Sequence, residues 1–205
     1  MRGLALLNFI VVLLIAAPAA IAQQPAPGTE PANQPTTAGT GGAAYADEAE
    51  TAPAPASDLR PTVPGTVAVR LPDGTAAAPA DAPPQVQEAI WAANEIIGKP
   101  YKYGGGHARI ADTGYDCSGT ISYALIGAGL LKTPLPSGPF MRWGDRGKGQ
   151  WISIYANRGH AYIVIAGLRL DTSSAGEPRS SGRGPRWRTT ARGGKGYRTT
   201  HPVGF

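Results

Sequence analysis

The chain has 205 residues, including 28 Gly, 20 Pro and a single Cys, with a formal net charge of +5. That length allows one domain or two small ones. One cysteine rules out an internal disulfide, so the fold must hold by its core alone.

Residues 1–22 read as a secretory signal: Arg2 gives the positive start, residues 4–17 the apolar region, and Ala20-Ile21-Ala22 the small-residue cleavage pattern. An uncleaved anchor is the other reading. The run is short for a membrane span and is interrupted by Asn8 and Pro18. No cysteine follows it for lipid attachment, and no other long apolar segment exists. The expected address is therefore secreted or cell-envelope, with no stable membrane insertion after cleavage. Residues 23–83 are dominated by Pro, Ala, Thr and Gly and carry almost no large apolar side chain before Val63. Such a composition buries too little surface to offset its ordering entropy, so a flexible linker is expected. Within it, residues 63–72 alternate weakly and could add a short strand or pack on the domain. No internal repeat is evident.

The domain is expected over residues 84–205. A helix should cover about 84–97, with Val86, Ala89, Ile90, Ala93 and Ile97 on one face, Pro84 in its first turn, and Gly98 and Pro100 at its stop. Tyr101 and Tyr103 then precede Gly104-Gly105-Gly106. That glycine run lacks the Lys-Ser/Thr of a phosphate-binding loop. His107, just beyond it, reads as a solvated loop histidine.

Gly114-Tyr115-Asp116-Cys117-Ser118-Gly119 leads into an apolar run that reads as a second helix, to about Ala128, with Ile121, Ala124, Leu125 and Ala128 as its buried stripe. Asp116 is a good N-cap, which puts Cys117 at the first turn. Unpaired amides and the helix dipole favour negative charge there, and a thiol is nucleophilic only as its thiolate. A lone cysteine is often merely buried. In an exported chain an unpaired thiol is a liability unless it is used, which points to Cys117 as a nucleophile.

Strands follow the turn-forming segment 134–139. Residues 150–155 and 160–166 are rich in β-formers, with Asn157-Arg158-Gly159 between them as a turn. Ala166-Gly167 is a tight turn, and residues 168–171 should pair back. His160 then opens one strand and Asp171 closes the next, so the hairpin sets them side by side. A carboxylate beside an imidazole fixes its tautomer and stabilises its cation. Beyond lies a Gly/Arg-rich end with Arg179, Arg183, Arg186, Arg188, Arg192, Lys195 and Arg198. It reads either as a solvated loop or as a contact for an anionic wall polymer or nucleic acid, and export argues against nucleic acid. Trp187 is expected to anchor this loop to the core.

The pattern Pro100-Tyr101-x-Tyr103-Gly-Gly, then Asp116-Cys117-Ser118-Gly119 on a helix, then a strand opened by Gly159-His160, resembles the NlpC-type cell-wall cysteine peptidases. The resemblance covers about residues 84–205, and the Ala/Pro-rich preface looks like that of actinobacterial members. It implies an α+β, papain-like domain in which the nucleophile helix packs on an antiparallel sheet, and cleavage of amide bonds in peptidoglycan stem peptides, often next to D-glutamate. By position it makes Cys117 the nucleophile and His160 the base. Tyr101 would join the Cys117 N–H in holding the oxyanion, and Asp116 and Ser118 would face the substrate's polar groups. Asp171 falls where the family has a third polar group, usually His, Asn or Gln, and His201 is a rival for that place. The loop 106–114 is longer than usual, and Gly149-Gln150-Trp151 replaces the common Gly-Asp-Leu. No cofactor or metal is called for. The same fold could serve an amidase or acyltransferase, or a non-catalytic wall-binding scaffold.

Overall fold

The computed structural model describes residues 60–176, 178 and 183–205. The expected signal segment and the linker up to residue 59 lie outside them.

Three short strands come first: β1 (Thr62–Val63), β2 (Val69–Arg70) and β3 (Ala76–Pro79). They form a small sheet in the order β1-β3-β2. The end of the expected linker, residues 60–83, is therefore folded, and the weakly alternating run does pack on the domain. The reason is alanine. Ala76, Ala77 and Ala78 are almost fully buried, and small side chains let β3 lie close against α1 (Pro84–Asn94). Polar ties reinforce the contact. Gln87 Nε2 donates to the Pro79, Ala80 and Ala82 carbonyls, and the Ala68 N–H donates to the Ala166 carbonyl at 2.8 Å.

α1 begins at Pro84 as expected but stops three residues short of Ile97. Asn94 is the cause. Its Oδ1 accepts from the Ala76 N–H (2.9 Å) and from Trp187 Nε1 (2.8 Å), and its Nδ2 donates to the Ala76 carbonyl (2.8 Å). The chain beyond it tightens into i→i−3 turns. That rotates Ile96, rather than Ile97, into full burial. α2 (Cys117–Gly127) packs on α1 and carries the predicted stripe: Ile121, Ala124, Leu125 and Ala128 are all buried. A single turn, α3 (Ser137–Phe140), follows.

The second half is an antiparallel sheet in the order β4-β9-β5-β6-β7-β8. Its strands are β4 (Asp145–Arg146), β5 (Ile152–Ala156), β6 (Ala161–Ile165), β7 (Leu168–Leu170), β8 (Trp187–Arg188) and β9 (Arg198–His201). In the β5–β6 register Ile152 faces Ile165 and Ile154 faces Ile163, and all four side chains are fully buried. Each such burial is worth about 1.5–3 kcal/mol. The β6–β7 link is the expected two-residue turn: Ala166 and Gly167 both have positive φ (46° and 84°), matching the strand twist. Trp187 is 2% exposed and, with Phe140, Ile90 and Ile121, joins the sheet to the helices. The result is the α+β architecture expected, with the cysteine helix laid on β6.

Candidate active site

The cysteine arrives through backbone interlocking. Lys102 N–H donates to the Tyr115 carbonyl, and Tyr115 N–H to the Pro100 carbonyl. This lays the Tyr101 segment alongside the start of α2. A side chain at Gly119 would strike the Gly105 carbonyl, so only glycine lets the loop cross the helix at this depth. Asp116 is the N-cap, in extended backbone conformation, and its Oδ1 accepts from the Gly119 N–H at 2.7 Å. Cys117 is thus the first residue of α2 and is 8% exposed.

The histidine arrives from the sheet. Asn157 Oδ1 accepts from the N–H groups of Gly159 and His160, both at 2.9 Å, and so fixes the entry to β6. His160 Nε2 lies 3.0 Å from Asp171 Oδ1; continuing the β6–β7 register puts Asp171 opposite Tyr162, one diagonal step from His160 on the same face. Cys117 also acts on the imidazole, favouring its charged form. With Nε2 taken by the carboxylate, Nδ1 is the nitrogen left for sulfur. Burial works against the imidazolium, but the hydrogen bond to Asp171 and the influence of Cys117 outweigh it and push His160 up to about 9. Asp171 has its side chain fully buried. Burial would raise its pKa, yet the bonds from His160, the Ser173 N–H and Arg192 hold it below the usual carboxylate value.

Tyr101 is 43% exposed and lines a cavity of about 220 Å³ together with His160. Its pKa is raised, first by burial and then by negative charge at Cys117 and Asp116, so its hydroxyl stays a donor within electrostatic reach of the sulfur. His201 is elsewhere. β9 runs along β5 with Arg198 opposite Ala156 and Thr200 opposite Ile154, which carries His201 away from the Ala156–Ala161 end where His160 sits. Its Nδ1 lies 3.2 Å from the Gly147 carbonyl oxygen.

Three features of the site were misjudged or missed in the sequence. Asp116 and Ser118, expected to face the substrate, are 7% and 4% exposed. Asp116 Oδ1 takes the Ser118 hydroxyl (3.1 Å) besides the Gly119 amide, and Oδ2 takes the Gly104 amide (3.0 Å). His107, read as solvated, covers them. Its Nε2 lies 3.1 Å from Asp116 Oδ1 and 3.2 Å from Ser118 Oγ. Its place one residue past a glycine run that must wrap the N-cap was the available signal.

The third feature is the basic C-terminal end, which is not a solvated loop. Arg188 is 2% exposed and donates from Nε to the Asp171 carbonyl. Arg186 donates to the Lys99 carbonyl. Arg192 donates from Nη1 to Asp171 Oδ2 (2.9 Å) and Ser173 Oγ (2.6 Å), and from Nη2 to Tyr197 OH (2.8 Å), while packing over the Tyr162 and Tyr197 rings. Arg183, Lys195 and Arg198 remain exposed. Arg179 lies outside the described residues. A larger cavity of about 560 Å³, lined by the Arg60–Glu88 ion pair and Trp91, shares no described residue with the cysteine–histidine cleft.

The fold and this constellation define an α+β protein with a helix-borne cysteine facing a histidine–aspartate pair. No protein-family model and no curated protein matches the chain. Among solved structures it is similar to RipB of Mycobacterium tuberculosis, described as a peptidoglycan hydrolase. The identity is 21%, the TM-score 0.44, and the match covers 59% of this chain and 66% of that one. It therefore spans just under two thirds of that protein. Among the described residues, no helix is long and apolar enough to cross a membrane.

Proposed function

We propose that the protein is a secreted, NlpC-type cysteine peptidase that hydrolyses amide bonds in peptidoglycan stem peptides at the cell envelope. The observation that carries the reading is the grouping of Cys117, His160 and Asp171, in which a buried carboxylate bonds an imidazole whose charge responds to a cysteine at a helix N-terminus. A structural cysteine has no use for a histidine held cationic beside it.

In the proposed reaction the Cys117 proton already resides on His160 before substrate arrives, so the pair waits as thiolate and imidazolium. The sulfur attacks the scissile carbonyl carbon. The Cys117 N–H and the Tyr101 hydroxyl receive the oxyanion, each such donor contributing of order ~3 kcal/mol. As the C–N bond breaks, the proton on His160 passes to the leaving amine. His160 then draws a proton from water, hydroxide adds to the thioester, and the carboxylate product leaves with the thiolate restored. Asp171 keeps its negative charge throughout and steadies the imidazolium.

The test is digestion of purified peptidoglycan by the full chain beside Cys117→Ala, with mass analysis of the released fragments. New stem-peptide ends made by the cysteine form, and reduced at least about 10⁴-fold in the variant, are the expected result. Equal release by both proteins would rule out the thiol mechanism. Wall binding by both without release would favour a non-catalytic wall-binding module, and joined rather than hydrolysed ends would favour an acyltransferase.

A further inference from the structure

We propose that the groove between β2 and β8 is a phosphate-binding site, in which Arg70 and Arg186 hold a phosphodiester polymer of the cell envelope apart from the cysteine cleft. The proposal uses the envelope location proposed for the protein and none of its peptidase chemistry.

The groove has a volume of about 390 Å³ and is lined by Arg70, Arg186, Trp187, Arg188, Thr189 and Thr190. It shares no described residue with the cavity beside His160. Its walls come from two distant parts of the chain. Arg70 ends β2, and two residues earlier the Ala68 N–H is tied to the Ala166 carbonyl at the β6–β7 turn. The other arginines come from β8, at the edge of the large sheet. In the β7–β8 register Leu170 faces Trp187 and Arg169 faces Arg188, and the Asp171 N–H continues the ladder onto the Arg186 carbonyl at 3.1 Å. Side chains alternate along a strand. Leu170 and Trp187 therefore turn to the core, and Arg169, Asp171, Arg186 and Arg188 share the opposite face.

That face is short of negative charge. Asp171 is the single acid of the four, and its carboxylate already meets His160, Arg192 and Arg169. Arg186 is half-buried and gives its Nη1 to neutral carbonyls, Lys99 at 3.4 Å and Pro185 at 2.8 Å. Burial first, and then the charge of Arg188 two residues on, work against its cation. Arg70 is exposed and makes no ion pair among the described residues. No acid lines the groove among the described residues. Gathering cations from two sheets into one groove costs repulsion and lost hydration, and an anion seated between them relieves both. The directions of approach select its shape. Arg70 comes from the small sheet, Arg186 from the large one, and Thr189 and Thr190 add hydroxyls. A planar carboxylate is fully served by one guanidinium fork, whereas a tetrahedral phosphate offers oxygens to donors on several sides. A groove of this volume also has room for the backbone on either side of the phosphate, as a polymer requires.

The test measures binding of labelled poly(glycerol phosphate) to the full chain by fluorescence anisotropy, beside polyglutamate of equal length and charge. The phosphate polymer is expected to bind at least about 10-fold more tightly than the carboxylate polymer, with an affinity that falls as salt is raised. Arg70→Gln and Arg186→Gln should each weaken it by about 3- to 10-fold, and the double variant should lose the preference. Arg109→Gln, which removes an exposed charge from the loop 106–114, should leave it unchanged. Arg70 is exposed and unpaired, so its glutamine variant decides the matter even where Arg186→Gln fails to fold. Equal affinity for the two polymers, or equal losses from Arg70→Gln and Arg109→Gln, overturns the site as general charge attraction. Displacement by inorganic phosphate at matching phosphate concentration would reduce it to a site for the lone ion. Equally tight, Arg70-dependent binding of a single-stranded oligonucleotide would hand it to nucleic acid. Either result overturns the envelope polymer. Cys117→Ala should bind as the wild type does, because the readout needs no turnover. Polymer binding without peptidoglycan release keeps the groove and removes the peptidase; release without polymer binding does the reverse.

Discussion

Two buried aspartates flank Cys117, and each faces a histidine at nearly the same distance: Asp116 with His107 at 3.1 Å and Asp171 with His160 at 3.0 Å. The rest of their surroundings separates them. Asp116 spends its carboxylate on backbone, accepting the Gly119 and Gly104 amides, and its work is to end one loop and begin one helix. Asp171 accepts one amide, from Ser173, and otherwise meets cations: His160, Arg192 at 2.9 Å and Arg169 at 3.8 Å. A carboxylate committed to amides is a structural cap. A carboxylate held among cations sets the charge of the imidazole it touches. Proximity of Asp to His does not by itself tell the two jobs apart; the remaining lone pairs do.

The largest effect that would break this distinction belongs to Asp171→Asn. The amide can still accept from His160, so position is largely kept and charge is lost. Activity is expected to fall by about 10²- to 10⁴-fold. The basic limb of kcat/KM, set by deprotonation of the His160 cation near pH 9, should move down toward the ordinary imidazole value of 6.5. Stability should follow the same linkage. The raised His160 value contributes stability that is fully present below about 6.5 and is lost as pH climbs through 9. The lowered Asp171 value contributes stability present above about 3.8 and lost as pH falls through its lower folded value. Denaturation at pH 6 and pH 9 would therefore converge in the variant and differ in the wild type. An unmoved basic limb would mean that Asp171 only positions the ring.

Asp116→Ala tests the other half. Loss of an N-cap costs typically ~1–2 kcal/mol, and here it also strands the buried Ser118 hydroxyl. The expected signature is a lower thermal midpoint, with the basic limb of the pH profile still near 9. A shifted limb with unchanged stability would reverse the roles assigned to the two aspartates.

The Asp116 half of this comparison was legible in the sequence because it is local: cap, nucleophile and glycines fall within 16 residues, 104–119, and each has a positional meaning. The His160–Asp171 pairing was legible for a related reason, since a two-residue turn at Ala166-Gly167 fixes the register of everything before and after it. What failed was long-range or made of weak signals. The alanines 76–78 carry little hydrophobicity each, and only their packing against α1 makes them core. Arg192 lies 21 residues beyond Asp171, in a stretch whose composition reads as solvated, and nothing local predicts that its guanidinium turns inward onto two tyrosines. A loop histidine such as His107 has no periodicity to place it, so its composition alone reads as solvated.

Arg192→Gln gives the smallest effect and the sharpest division. Arg192 and His160 share one buried carboxylate from opposite oxygens, so each cation weakens the hold of Asp171 on the other. Removing the guanidinium should strengthen the remaining pair and move the basic limb upward, by roughly half a pH unit to one for a partly exposed charge at this separation. The thermal midpoint should fall meanwhile, because the bonds to Ser173 and Tyr197 are lost. The two readouts thus change in opposite senses, whereas Asp171→Asn moves the limb down. Arg192→Lys retains a charge near Oδ2 and should leave the limb where it is while losing the fork and the ring contacts, so its midpoint should fall nearly as far. If the glutamine variant moved the limb down, Arg192 would be holding Asp171 in place against His160, and geometry rather than charge balance would be its contribution to the site.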